Sequence, residues 1–306
     1  MNSLNKSYTE SETNTSELTS TFSSMLIIFM IGILLNTTSI ILLLVKTKKL
    51  KPIIVLLLNL AVANLVYQLG MPFYLINMLE KKWLLNGLGC SLFFLLDYIG
   101  MSISMFTVTG LSLELYIETL NLFNSDIISN KFKLFIVYIY LIIVWLISFF
   151  FYLPYILSLE LYQIFDEKIY ICESNWSMFK LNIFFLIKLI FGFIIPFVFV
   201  VICTIRLILF IKRKNISSQF NQTEETALNN ENINKIAYKE YIKIKISLVI
   251  IVLFFSKFIL IWIFELYQAV SDSVINVQSV NIIVSFLQYV NTVIDPILYF
   301  YIINYL

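Results

Sequence analysis

Seven apolar stretches dominate this chain and leave it few folds to choose from. They cover residues 25–45, 53–79, 87–120, 134–159, 181–211, 242–270 and 277–305. A helix needs about 20 apolar residues to cross the hydrocarbon of a bilayer, and each stretch is long enough. Lipid offers no partner to a backbone N–H or C=O, so spans of this kind are helices. With 60% hydrophobic residues, the composition is that of a multi-span membrane protein. The expected fold is an all-α membrane protein, a seven-transmembrane-helix bundle over residues 25–306. Residues 1–24 are polar and rich in Ser, Thr and Glu. They read as a short disordered tail. They do not read as a cleaved signal peptide, which needs a basic start and an apolar centre.

The connectors orient the bundle. Lys46, Lys48, Lys49 and Lys51 lie between spans one and two, and Lys131 and Lys133 between three and four. Lys212, Arg213, Lys214, Lys235, Lys239, Lys243 and Lys245 flank the long connector between five and six. The other side carries only Lys6, Lys81, Lys82, Lys168 and Lys180. Positive charge stays inside, which puts the N-terminus outside. Basic helix ends beside lipid headgroups need no nucleic-acid partner to explain them. The chain has no histidine, which argues against histidine catalysis, a histidine metal site or a histidine pH switch. No nucleophile–base set suggests an enzyme. Three cysteines exclude a disulfide-rich scaffold and a four-cysteine metal site.

The stretch from Cys90 to Tyr116 carries the most chemistry. It is almost wholly apolar, yet Asp97 and Glu114 sit near its two ends, roughly 25 Å apart on a helix. Cys90, Asp97, Met101, Ser104 and Leu115 recur at helical spacing and share one face. A carboxylate inside a membrane helix is expensive and marks a functional site.

Asp97-Tyr98-x-x-Met101-x-x-Ser104, followed by Ser112-Leu113-Glu114-Leu115-Tyr116, resembles the third helix of rhodopsin-like seven-helix receptors. The motifs are most similar to those of somatostatin, opioid and chemokine-type peptide receptors. Further residues extend the likeness. Asn59-Leu-Ala-Val-Ala-Asn64 in span two is similar to the family's Asn-Leu-Ala-Val-Ala-Asp. Tyr289-Val-Asn291-Thr-Val-Ile-Asp295-Pro296-Ile-Leu-Tyr299 in span seven is similar to Tyr-x-Asn-Ser-x-x-Asn-Pro-Ile-Leu-Tyr. Trp83, Trp145 and Pro154 also fall at the family's spacings.

The resemblance implies several sites. Cys90 and Cys172 both face an oxidising compartment, and in the family their equivalents form a bridge; two free thiols are the alternative. Asp97 and Tyr289 stand where peptide and amine receptors hold a ligand cation. Tyr98, Met101, Trp262 and Glu265 would line the same cavity. Lys188 would point into it as well, and an internal Asp97–Lys188 pair is the alternative to ligand anchoring. Asn64 and Asp295 look like a reciprocal exchange of amide and carboxylate between two helices. With Asn36, Ser104 and Asn291 they would rebuild the buried polar cluster that holds a sodium ion in the family; independent drift without an ion is the alternative. No other cofactor is implied. Asn5, Asn14 and Asn175 head glycosylation triplets on the outer side.

The departures concern signalling. Glu114-Leu115-Tyr116 replaces the family's Asp-Arg-Tyr, and leucine can neither form the ionic lock nor contact a G protein. The tryptophan and proline of the family's span six become Phe258 and Leu260, which weakens the kink. Lys257 is a mid-membrane cation that would neutralise Asp295 or else snorkel to the interface. Thr204 replaces a span-five tyrosine. The sequence ends at Leu306, soon after Pro296, so little arrestin docking is expected.

Two roles follow. The chain is a G-protein-coupled receptor homologue in the plasma membrane that binds an extracellular peptide or chemokine-like ligand with a basic group. Otherwise it is a non-signalling decoy, or a modulator that forms oligomers with other receptors. A small transporter or channel is the remote third. The abundance of Ile, Asn, Lys, Phe and Tyr fits the A+T-rich coding of many large DNA viruses, so a virus-encoded homologue in a host cell membrane is expected under either role.

Overall fold

The computed structural model describes residues 2–46, 50–80, 83–123, 129–164 and 169–221. Beyond these it describes residues 242, 245, 248, 249, 252, 258, 259, 262, 263, 289, 290, 292–297 and 299. The described helices are α1 (Asn2–Lys46), α2 (Pro52–Gln68), α3 (Met71–Glu80), α4 (Gly87–Phe123), α5 (Asn130–Ile156), α6 (Met178–Leu189) and α7 (Ile195–Asn221). Among the described residues, five segments are long and apolar enough to cross a membrane. They are Ser20–Val45, Pro52–Asn77, Gly87–Leu120, Asn130–Ile156 and Met178–Phe210, in line with the first five expected spans. Most of spans six and seven, and with them Lys257, Leu260, Glu265 and Asn291, lies outside the described residues.

The element boundaries follow local chemistry. Pro52 opens α2 at a position where its missing N–H costs nothing. Ser129 caps α5, its side chain accepting from the Phe132 N–H. Ser177 caps α6 in the same way through Lys180 N–H. Span two is two helices, because Pro72 cannot donate to the carbonyl four residues back. Span five contains a π turn, Ile190–Ile194, between α6 and α7 and just ahead of Pro196. The helix of span one begins at Asn2 and not near Met25, since a formed helix extends cheaply into a polar segment.

The outer connector between spans four and five carries an antiparallel hairpin, β1 (Leu159–Ile164) with β2 (Ile169–Ser174). Its alternation of apolar and polar residues puts Leu159 in the core and leaves Glu160 exposed. Leu161 pairs with Cys172, and Cys172 is bonded to Cys90 at the top of α4, with a Cα–Cα distance of 5.9 Å. Trp83 N–H donates to the Tyr170 carbonyl (2.8 Å), so the preceding outer loop is stitched to the same hairpin.

The core follows α4, which packs most closely on α2. Gly100 of α4 lies against the Tyr67 backbone, and a Cβ there would come within 2.7 Å of Tyr67 N. Backbone cannot yield as a side-chain tip can. Gly100→Ala is therefore expected to push the two helices apart and destabilise the fold by about 1–3 kcal/mol. A melting midpoint for the purified Gly100→Ala protein equal to that of the natural chain would contradict this contact.

Candidate functional site

One cluster of buried polar groups joins spans one, two, three and seven. Asn64 on α2 donates from Nδ2 to Asp295 Oδ2 (2.8 Å) and to the Tyr299 hydroxyl (3.1 Å). Its third contact, to Asn36 Oδ1 at 3.4 Å, is the weakest, as an amide has two N–H groups. Ser104 on α4 donates to Asn64 Oδ1 (3.3 Å). Asn36 on α1 donates to the Thr292 carbonyl (2.9 Å). Asn36, Asn64, Ser104 and Asp295, four of the five residues proposed for the polar cluster, thus meet; Asn291 lies outside the described residues.

Two members were not foreseen. Gln68 Nε2 donates to Thr292 Oγ1 (2.7 Å), and the Thr292 hydroxyl donates to the Tyr289 carbonyl (2.7 Å). Gly32 is fixed by this arrangement: a Cβ there would collide with the Gln68 amide. Gln68 Oε1 is buried and has no hydrogen-bond partner among the described residues. Gln68 lies four residues after Asn64, on the same helical face, a signal present in the sequence. The oxygen-rich set of one carboxylate, a hydroxyl and amide carbonyls fits a hard monovalent cation.

A second group lies nearer the outer surface. Tyr67 makes a side-chain hydrogen bond with Asp97, and Tyr289 lies within its electrostatic reach. The rings of Tyr67 and Tyr289 pack with centroids 5.0 Å apart. Asp97 is half-buried, and Met101, one turn further along α4, is buried in the same apolar cluster as Tyr67, Trp262 and Tyr289. Tyr67 was missed because span two is read from its polar motif, and one more aromatic residue in an apolar run gives no signal.

Tyr98 faces another way, stacked on Tyr152 at 5.1 Å. Lys188 is 1% exposed, with Nζ 4.5 Å from the Tyr98 ring centroid and 5.1 Å from that of Trp262. Trp262 Nε1 is buried with no hydrogen-bond partner among the described residues.

At the inner end, Leu115 is fully buried, in an apolar cluster with Leu111, Val200, Ile242 and Tyr299. Leu43 and Ile53 through Leu57 belong to the same cluster. Glu114 is buried, facing the charges of Lys133 on α5 and Glu118 one turn on. Tyr116 is half-buried. Thr204 is buried, and its hydroxyl has no hydrogen-bond partner among the described residues. Asn175 is exposed and donates to Glu160 Oε1 (2.7 Å). The side chains of Asn5 and Asn14 lie outside the described residues.

Residues 35–299 match the 7 transmembrane receptor (rhodopsin family), and the chain belongs to that family. Its architecture is accordingly a seven-helix bundle, and the family is one of receptors, not enzymes. Among individual proteins, the urotensin-2 receptor of Bos taurus is 40% identical over 62 residues, 20% of this chain and 16% of that one. The Homo sapiens urotensin-2 receptor is 39% identical over 66 residues, 22% of this chain and 17% of the relative. The C-C chemokine receptor type 8 of Mus musculus is 38% identical over 92 residues, 30% and 26% of the two chains. The matched stretches span only 16% to 26% of these relatives' own length.

The direct Asn64–Asp295 contact makes the pair testable. Asn64→Asp puts two carboxylates side by side and is expected to lower surface expression sharply, because both cannot ionise at that distance. Adding Asp295→Asn should restore it. Flow cytometry of an epitope-tagged chain measures both, and a double variant no better than the single would show that the two sites are not coupled.

Proposed function

We propose that this chain is a plasma-membrane receptor homologue that binds an extracellular peptide or chemokine-like ligand through a basic group at Asp97. The observation that carries the reading is the Asp97–Tyr67–Tyr289 group. It joins a half-buried carboxylate, a hydroxyl that hydrogen-bonds it and an aromatic wall at the outer end of the bundle. A partly desolvated carboxylate attracts an ammonium or guanidinium far more strongly than one in water. The similarity to urotensin-2 and C-C chemokine receptors supports a peptide as the ligand class. If a sodium ion is bound below this site, Asp295, Ser104 and the amide oxygens of Asn64 and Gln68 would hold it and add positive charge beneath Asp97. Glycosylation at Asn5, Asn14 and Asn175 fits the same outward topology.

A second reading is favoured by a specific observation: the chain binds without efficient G-protein activation. The residue in the place of the family's arginine, Leu115, is packed into apolar side chains from several spans. Opening the inner face would expose this surface to water, and the opened cleft would present no arginine to a G protein. A ligand shifts an equilibrium only by its differential affinity for the two states, and here the open state is costly. Oligomers with other receptors belong to this reading.

Two measurements test the pair of readings. Asp97→Asn should weaken binding of a basic peptide or chemokine ligand by about 2–5 kcal/mol, the loss typical of breaking a buried charge pair. Unchanged affinity moves the anchor elsewhere. Nucleotide exchange on purified G proteins should respond weakly to ligand with the natural chain and more strongly with Leu115→Arg. Robust stimulated exchange by the natural chain overturns the second reading.

A further inference from the structure

Lys188 lies eleven residues into α6, about 15 Å from its outer end. That is too deep for a lysine to reach water by extending its stem, and the residue is 1% exposed. A cation there needs protein groups to replace its hydration. Three aromatic rings are among them. Nζ sits 4.5 Å from the Tyr98 centroid, 5.1 Å from Trp262 and 5.6 Å from Phe185, each within the range of cation–π attraction. The rings come from α4, span six and α6 itself, and Tyr98 is further held by stacking on Tyr152. Trp262 packs on Phe193 at 5.8 Å.

We infer that Tyr98, Trp262 and Phe185 form an ammonium-binding cage, and that the chain occupies it with its own Lys188. The inference does not rest on the ligand reading above. It takes a primary alkylammonium, and the lysine is the tethered form of that ligand. Lys188, Tyr98 and Trp262 are then fixed parts of the bundle and not direct ligand contacts. By joining α6 to a ring of span six, the tethered cation also pins the outer end of that span.

The test removes the tether and returns the cation. Lys188→Ala deletes the propylammonium part of the side chain and keeps Cβ. The full chain, purified in detergent, is melted with a thiol-reactive dye that reports exposure of the buried free Cys203. The variant should melt lower than the natural chain by roughly 4 °C or more. Added n-propylammonium should raise the variant's midpoint, and n-propanol at the same concentration should not. Neither should shift the natural chain, whose cage is full. Equal rescue by the neutral alcohol would mean a plain apolar cavity and overturn the inference. Lys188→Met provides an arm that leaves no cavity. A midpoint below that of the natural chain supports the cage, and one equal or higher overturns it even if the alanine variant cannot be recovered.

Discussion

A carboxylate buried between membrane helices must find its hydrogen-bond donors inside the protein, and Asp295 finds them on span two. The Asn64 amide is buried, and its two N–H groups serve Asp295 and Tyr299 together. Its carbonyl takes the Ser104 hydroxyl in return. Asn36 then ties span one to the Thr292 backbone. The helices are joined here by directional bonds, where apolar contact alone would leave their registers free to slide. Each group is satisfied only if the others are present, which makes the cluster specific as well as stable. With the acid on span seven and the amide on span two, the pair holds one charge and one amide, and the bonds close.

The inner half of the bundle follows a different rule. A lock made of arginine and a carboxylate can be broken by supplying either partner with a better one. The contacts around Leu115 cannot be exchanged in that way, because nothing polar competes for an apolar surface. Glu114 stays near a positive charge, that of Lys133, but the partner is on α5. That cation comes from the neighbouring span four, not from span six. Loss of the arginine is thus accompanied by a rebuilt apolar contact and not by a gap.

Much of this was legible in the sequence. Hydropathy placed the spans because lipid tolerates no other backbone arrangement, and lysine asymmetry oriented them. The exchange of Asn64 and Asp295 could be read because both residues sit inside recognisable polar motifs. The hairpin in the outer loop could not, since Leu159 to Ser174 is short and its alternation becomes meaningful only once Cys172 is tied to Cys90. Tyr67 and Gln68 were hidden for a related reason. Their partners in span seven are more than 200 residues away; only helical spacing from Asn64 marks Gln68, and one more aromatic residue in an apolar run does not mark Tyr67. The π turn before Pro196 adds a residue to the helical repeat and shifts which face looks inward, an effect no fixed period anticipates.

The outer and middle groups are physically continuous. Asp97 engages Tyr67, Tyr67 packs on Tyr289, and the Tyr289 carbonyl receives the Thr292 hydroxyl. Thr292 in turn accepts from Gln68 and, through its carbonyl, from Asn36. Continuity by itself transmits nothing; a coupled element needs two arrangements that both sites can bias. The residue that offers this is Gln68. Its amide nitrogen donates to Thr292, while its buried carbonyl oxygen has no hydrogen-bond partner among the described residues. A donor or cation arriving beside Oε1 would favour one setting of the Gln68–Thr292 joint over another. Gly32 lies against this amide, and a Cβ there would collide with Gln68 Nε2. If a ligand binds at Asp97, these contacts connect it to the polar cluster along the seam where spans one, two and seven meet.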